Sequence, residues 1–264
     1  LGLAGEARVD FEALSLNAAV RHDDNDGRFD DAVTWRAGTA YGFDFGGKLR
    51  ASIGRGVKNP TFTELFGFFP GSFVGNPDLK PEISISWEIG WEQTTGDATW
   101  SLTWFEAELE DEIFTAFNPT STSTARTRIG DSQRSGLEAG LAWQLSERLA
   151  FNGAVSNLSS EDETGADEIR VPEWTGSAAI SWQGERARFG LAVDYVGEQL
   201  DTDFGTFSDV RLDDYWLVSA SVDVPMSERL ALTLRGENLL DETVTDVFGY
   251  HGTGAGVFIG LKVR

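Results

Sequence analysis

The chain has 264 residues, a formal net charge of −22 and no cysteine. The missing cysteine excludes a disulfide framework, a thiolate metal site and a cysteine nucleophile, and the acidic balance argues against a nucleic-acid partner, because phosphate binding depends on clustered Lys and Arg. No apolar run approaches the roughly 20 residues of a membrane helix, which excludes a helical membrane protein but not membrane strands, where only alternate residues face lipid.

From the N-terminus onward, segments that alternate apolar and polar residues are separated by breaks that are long and short in turn. Long breaks run from His22 to Asp31, Val57 to Glu82, Glu110 to Ile129, Asn157 to Arg170, Gly197 to Leu212 and Asn238 to Gly252. Short ones lie at Asp44 to Gly47, Thr94 to Asp97, Leu145 to Arg148, Gln183 to Arg186 and Pro225 to Glu228. A soluble sandwich has no reason to keep such strict alternation, whereas a transmembrane barrel has tight turns at one rim and long loops at the other. The fold class expected is therefore all-β, an antiparallel transmembrane β-barrel.

Parity along the segments agrees. Ile83, Ile85, Trp87, Ile89 and Trp91 share one face against Ser84, Ser86, Glu88, Gly90 and Glu92, a period of two that fits strand and not helix. Trp100, Leu102 and Trp104, then Leu230, Leu232 and Leu234, then Val257, Ile259, Leu261 and Val263 repeat the pattern. Phe43, Trp91, Trp100, Trp143, Phe151, Trp182 and Phe189 all lie near a short break and on the apolar parity. They predict an aromatic girdle at the short-turn rim, with Trp35, Trp174, Tyr195 and Trp216 as the opposite belt. The other parity carries Arg21, Arg36, Arg50, Glu88, Asp194, Asp223, Arg235 and Lys262, which a wet or polar-plugged lumen accommodates and a dry core does not. About 13 strands are expected, the first over Leu1 to Arg8, and an odd number starting in mid-strand suggests that the beginning of a barrel is missing. No signal peptide stands at Leu1.

The long loops hold the candidate sites. Asp23, Asp24, Asp26, Asp30 and Asp31, and further on Glu161, Asp162, Glu163, Asp167 and Glu168, read first as a solvated, self-repelling rim. The sharper reading is a divalent cation held by Asp23, Asp24 and Asp26, whose carboxylates are hard oxygen ligands. Phe66, Phe68, Phe69, Phe73, Tyr250 and His251, with Phe62 and Phe248, would either meet a large, partly apolar ligand or pack together to hold the loops still. Catalysis finds little support, because His22 and His251 stand alone in loops and no nucleophile motif or phosphate-cradling glycine loop stands out. The chain is not expected to be an enzyme.

Leu49 to Phe66, then Gly75-Asn76-Pro77-Asp78-Leu79-Lys80-Pro81-Glu82, then Trp87-Glu88-Ile89-Gly90 stand in an order that resembles the barrel of TonB-dependent outer membrane receptors. Arg134-Ser135-Gly136-Leu137-Glu138 and Gly236-Glu237-Asn238-Leu239-Leu240-Asp241-Glu242 are similar to further stretches of that family, so the resemblance covers nearly the whole chain. By itself, the stiffness that Pro77 and Pro81 impose makes Asn76 to Glu82 a structural re-entry into a strand more than a ligand contact, and Asn238 reads as a strand exit. The resemblance implies that residues 1–264 are the C-terminal part of a receptor barrel of about 22 strands, without the plug, its TonB-contacting segment (the TonB box) and roughly nine strands. It implies an integral protein of the bacterial outer membrane, in contact with lipid and lipopolysaccharide, that imports a scarce bulky nutrient and signals its binding through the plug to TonB. His22 to Asp26 and Val247-Phe248-Gly249-Tyr250 resemble the cobalamin branch, with a ferric siderophore as the alternative ligand and a passive porin or an adhesive barrel as the competing classes. The approach to the last strand departs from the family by lacking a Gly-Arg pair, and Arg264 stands where relatives carry an aromatic residue.

Overall fold

The computed structural model describes residues 1–25, 27, 29–67, 71–116, 118 and 122–263. Its strands are β1 (Gly2–Phe11), β2 (Leu14–Asp23), β3 (Ala32–Gly42), β4 (Gly47–Lys58), β5 (Phe73–Val74), β6 (Glu82–Thr95), β7 (Ala98–Glu110), β8 (Ile113–Ala116), β9 (Ser123–Thr127), β10 (Ser132–Ser146), β11 (Leu149–Glu161), β12 (Trp174–Gln183), β13 (Arg188–Val196), β14 (Gln199–Asp203), β15 (Ser208–Leu212), β16 (Tyr215–Pro225), β17 (Leu230–Glu237) and β18 (Gly256–Val263). One short helix, α1 (Phe62–Phe66), joins them. A 13-stranded sheet runs in the order β1-β2-β3-β4-β6-β7-β10-β11-β12-β13-β16-β17-β18. This is the strand number expected from the alternation. The first strand is longer than predicted, reaching Phe11 before the turn at Glu12 (φ +44°). The long breaks are not bare loops: they contain α1, the small sheet β5-β9-β8 and the hairpin β14-β15.

The chain divides into two units, one of Leu1–Trp91, Thr103–Gly136 and Ser159–Glu168, the other of Glu92–Leu102, Leu137–Leu158 and Ile169–Arg264. In unit 2 the registers align the apolar rows across strands. Trp182 faces Phe189 and Ile180 faces Leu191 across β12 and β13, while Val193 faces Val218 and Tyr195 faces Trp216 across β13 and β16. The intervening residues put Ser177 beside Asp194 and Ala179 beside Ala192 on the opposite face. A one-residue slip would exchange the two faces, so the pattern fixes the register.

The apolar rows are exposed: Leu191 keeps 45% of its surface and Trp216 50%. Water would make such rows a liability, and hydrocarbon makes them the buried side. Among the described residues the buried apolar side chains are Leu65, Leu79, Ala125, Leu212 and Tyr215, all in the long connections or at a strand's first residue. The charged residues of the other face find partners there. Arg36 meets Glu6 at 2.8 Å, Arg50 donates to Thr103 at 2.7 Å, Thr233 donates to Asp223 at 2.6 Å and Arg235 meets Glu237 at 3.1 Å.

Near two of the short turns aromatic rings lie in contact. In unit 1 Phe43 lies 4.7 Å from Tyr41, 5.2 Å from Phe45 and 5.4 Å from Trp91, centroid to centroid. A Cβ on Gly47 would stand 2.5 Å from the Trp91 ring, so the turn needs glycine there. In unit 2 Trp182 and Phe189 lie 5.4 Å apart, and Tyr195 and Trp216 lie 4.5 Å apart at the other end of their strands.

Leu191→Arg places a charge inside the lipid-facing row of β13 and is expected to cost about 2–4 kcal/mol, read by denaturant titration of the receptor refolded in lipid vesicles. Ala192→Ser, one residue away on the other face, is expected to change the midpoint little.

Candidate functional site

The long connections of unit 1 are built around a small apolar cluster. Thr61 and Glu64 form a capping box, with the Thr61 N–H donating to Glu64 at 2.6 Å and the Glu64 N–H donating to Thr61 Oγ1 at 3.3 Å. The box starts α1 so that Leu65 points inward, 5% exposed, against Leu79 and Ala125, with Phe29, Phe73 and Ile113 packed around them. The Asn76 N–H donates to the Glu64 carbonyl at 2.7 Å and its side-chain amide to the Ala125 carbonyl at 3.1 Å. Glu82, 9% exposed, accepts from the Ile113 N–H at 2.6 Å and pairs with Lys58 Nζ at 2.6 Å. A Cβ on Gly75 would come within 2.3 Å of the Phe66 and Gly67 backbone nitrogens. Each position from Gly75 to Glu82 with an assigned contact is thus occupied in holding the loop, which is the structural role expected of that segment.

Beside this cluster two arginines gather four carboxylates. Glu112 accepts from Ser132 Oγ at 2.6 Å and Arg134 at 3.0 Å and stands 3.1 Å from Arg128 Nε. Arg128 also pairs with Asp162 at 3.3 Å and donates to Glu163, and Arg134 pairs with Glu168 at 2.9 Å. Burial pulls the Arg128 pKa down, yet its carboxylate neighbours outweigh burial and hold it above its ordinary value. This corrects the expectation of a self-repelling rim: Asp162, Glu163 and Glu168 are paired, and they tie the β7–β10 connection to the one after β11.

Unit 2 uses a buried carboxylate. Asp201, 0% exposed, accepts from Arg170 Nε at 2.8 Å, the Thr202 N–H at 2.8 Å and the Phe248 N–H at 2.7 Å. Three connections meet there: the β11–β12 loop through Arg170, the hairpin β14-β15, and the β17–β18 loop through Phe248. Burial alone would raise the Asp201 pKa, but these donors reverse it and hold the carboxyl below its ordinary value. Asp246 adds a second tie, accepting from the Tyr215 hydroxyl at 2.7 Å while its carbonyl accepts from Gln199 Nε2 at 3.4 Å. Asn238 (φ +47°) closes the base of the same loop, accepting from the Glu242 N–H at 2.8 Å and donating to the Thr253 carbonyl at 3.2 Å.

The predicted ligand residues separate into different settings. Phe66 is exposed and stacks on Phe62 at 6.2 Å, whereas Phe73 is half-buried against the unit 1 cluster and serves packing. Phe68 and Phe69 lie outside the described residues. In unit 2 Tyr250 is 75% exposed beyond a turn whose Gly249 has φ +83°, and His251 Nδ1 lies 3.0 Å from Thr245 Oγ1. Of the candidate cation ligands, Asp23 is engaged by Arg21 at 2.6 Å, Asp24 follows β2 with its N–H donating to the Leu1 carbonyl at 2.7 Å, and Asp26 lies outside the described residues. Among the described residues no group of three or more His, Asp or Glu is placed to hold a metal ion. Sequence reasoning missed Asp201, because one aspartate among many carries no local signal. The signal available was the partner: Arg170 is the one cation in the acid-rich stretch from Glu161 to Glu173.

The model of the TonB-dependent receptor-like β-barrel matches residues 1–239. The chain belongs to the TonB-dependent receptor β-barrel family. Among its relatives, the vitamin B12 transporter BtuB of Vibrio vulnificus is 29% identical over 256 residues, 94% of this chain and 38% of the relative. That of Photobacterium profundum is 29% identical over 86% of this chain and 37% of its own length. Solved structures with this fold include the siderophore receptor PirA of Acinetobacter baumannii (TM-score 0.84, 15% identity, 99% of this chain and 45% of that one). The ferric enterobactin receptor PfeA of Pseudomonas aeruginosa is similar at TM-score 0.82 and 19% identity, over 99% of this chain and 44% of that one. The chain thus spans under half the length of the TonB-dependent receptors it matches. As an outer membrane β-barrel segment it has its apolar rows toward lipid.

Asp201→Ala is expected to cost about 1–3 kcal/mol, since it leaves the Thr202 and Phe248 N–H groups without their acceptor, and to expose the β14-β15 hairpin to protease in the folded receptor. The wild-type carboxylate contributes fully above the unfolded value of about 3.9, and its contribution is lost as pH falls through the lower folded value. Protection of the hairpin should therefore fall with acidification below about pH 3.9 in the wild type, and by a smaller amount in the variant, which keeps the Asp203 carboxylate of the hairpin turn. Gly75→Ala is expected to displace α1 at about 1–3 kcal/mol, seen as faster cleavage between residues 59 and 82.

Proposed function

We propose that these strands are the C-terminal part of the barrel of an active transport receptor that takes up cobalamin across the outer membrane, with energy supplied through TonB. The observation that carries this reading is the 29% identity with vitamin B12 transporters over 94% of the chain. The structural neighbours named for siderophores share the fold at under 20% identity, so a ferric siderophore stands second. The aromatic residues near the short turns, Phe43, Trp91, Trp100, Trp143, Phe151, Trp182 and Phe189, serve as the girdle at the periplasmic rim. The loops bind ligand and do no chemistry on it: they offer exposed rings on connections stiffened by buried polar ties, which lowers the ordering cost of binding.

The test is equilibrium binding by the full-length receptor in detergent or vesicles. Saturable cyanocobalamin binding that ferric enterobactin does not displace is expected. Saturable ferric enterobactin binding without cyanocobalamin binding would replace the first ligand by the second, and steady ion conductance without either would point to a passive pore.

A further inference from the structure

The short turns of unit 2 repeat one another. Leu145-Ser146-Glu147-Arg148-Leu149-Ala150 joins β10 to β11, and Met226-Ser227-Glu228-Arg229-Leu230-Ala231 joins β16 to β17. Between them along the sheet, Gly184-Glu185-Arg186 joins β12 to β13. The geometry repeats with the sequence: the Arg148 N–H donates to Ser146 Oγ at 3.3 Å, and the Arg229 N–H to Ser227 Oγ at 3.3 Å. Serine makes such a turn by bonding to the backbone, so the turn itself does not call for Glu followed by Arg at each tip. The β6–β7 turn of the same unit does without the pair and uses Gly96 at φ +57°.

All six charged side chains of these tips are exposed. Arg148 reaches Glu185 of the next turn at 3.1 Å, so consecutive tips touch, while Glu147, Arg186, Glu228 and Arg229 make no ion pair with a described residue. An exposed ion pair contributes little to stability, which leaves the repeat without a reason in folding. The tips stand where the lipid-facing rows end. Leu145, Trp182 and Met226 are exposed apolar side chains on the lipid-facing parity beside the three turns. The Trp182 ring lies over its turn so closely that a Cβ on Gly184 would stand 2.2 Å from it. On the membrane side of the tips the row is continuous: Leu149 faces Trp182, Trp182 faces Phe189, Phe189 faces Val222 and Val222 faces Leu234.

Each tip thus offers a carboxylate next to a guanidinium where hydrocarbon gives way to headgroups. We propose that the three Glu-Arg turns bind zwitterionic phospholipid headgroups of the periplasmic leaflet, the guanidinium taking the phosphate and the carboxylate a primary ammonium, as in an ethanolamine phospholipid. A guanidinium holds a phosphate through paired N–H···O bonds, and an ammonium has three N–H groups to give a carboxylate. A purely anionic headgroup meets the glutamates as repulsion, and a trimethylammonium headgroup has no N–H to donate. The surface continues the lipid-facing rows, so acyl chains against Trp182 and Met226 bring their headgroups to the tips. The inference rests on the short turns lying at the periplasmic rim and is independent of the transported ligand.

The experiment is native mass spectrometry of the full-length receptor released from micelles that contain equal amounts of phosphatidylethanolamine, phosphatidylglycerol and phosphatidylcholine. The wild type is expected to retain about fivefold or more phosphatidylethanolamine than either of the others. Glu147→Gln, Glu185→Gln and Glu228→Gln together are expected to abolish the preference over phosphatidylglycerol, and Arg148→Gln, Arg186→Gln and Arg229→Gln together to lower retention of all three lipids. Exposed turn substitutions leave the thermal midpoint near that of the wild type. Wild-type retention of the three lipids within about twofold of one another overturns the proposal, whether or not the variants fold. A preference that survives the three glutamate substitutions also overturns it, as does a loss that follows a lowered midpoint equally for every lipid. Cyanocobalamin binding without the lipid preference leaves the transport reading standing and removes this one; the lipid preference without cyanocobalamin binding does the reverse.

Discussion

Hydrocarbon offers no water to satisfy a peptide N–H or C=O, and from that constraint the rest of the chain follows. Antiparallel ladders satisfy each strand's backbone with its neighbours, and a strand's side chains then alternate between lipid and the opposite face. Only half of the strand residues need be apolar, so a chain built of membrane strands and polar connections can have a mean hydropathy of −0.23. The same alternation frees the other face for Arg36, Arg50, Asp223 and Arg235, each paired with a neighbour on the same wall.

Outside the membrane the chain must order long connections without a large core. It does so in two ways. Unit 1 nucleates a few apolar side chains around Leu65 and Leu79 and stitches them with Asn76, Glu82 and a capping box. Unit 2 buries a single carboxylate, Asp201, whose three donors come from three connections. Hydrogen bonds to a charged group contribute about 1.5–3 kcal/mol each, and those sharing one carboxylate are not additive. On the proposed function, loops ordered in advance carry exposed rings to a ligand with less entropy left to lose.

The sheet was legible because its signal is local. Period two shows in any ten residues, as from Ile83 to Glu92, and the alternation of break lengths adds the topology. The motif from Gly75 to Glu82 was legible as structure because proline restricts the backbone whatever surrounds it. The ion pairs were not, since the carboxylates of Glu112, Glu163 and Glu168 look like those of any solvated loop until Arg128 and Arg134 are brought beside them by pairing distant in sequence. Phe66 and Phe73 read alike as loop phenylalanines, yet one is exposed and the other packs on Leu65 and Leu79.

The alternation of faces supports every other conclusion, and residues 1–264 carry no cysteine that would compete with an introduced label. Single cysteines placed in turn at positions 189 to 194 of the full-length receptor in vesicles can carry a fluorophore read with a lipid-phase and an aqueous quencher. Stronger lipid-phase quenching at 189, 191 and 193 and stronger aqueous quenching at 190, 192 and 194 is the result predicted. Uniform quenching along β13, or the opposite phase, would contradict the assignment of the apolar row to lipid and with it the membrane barrel.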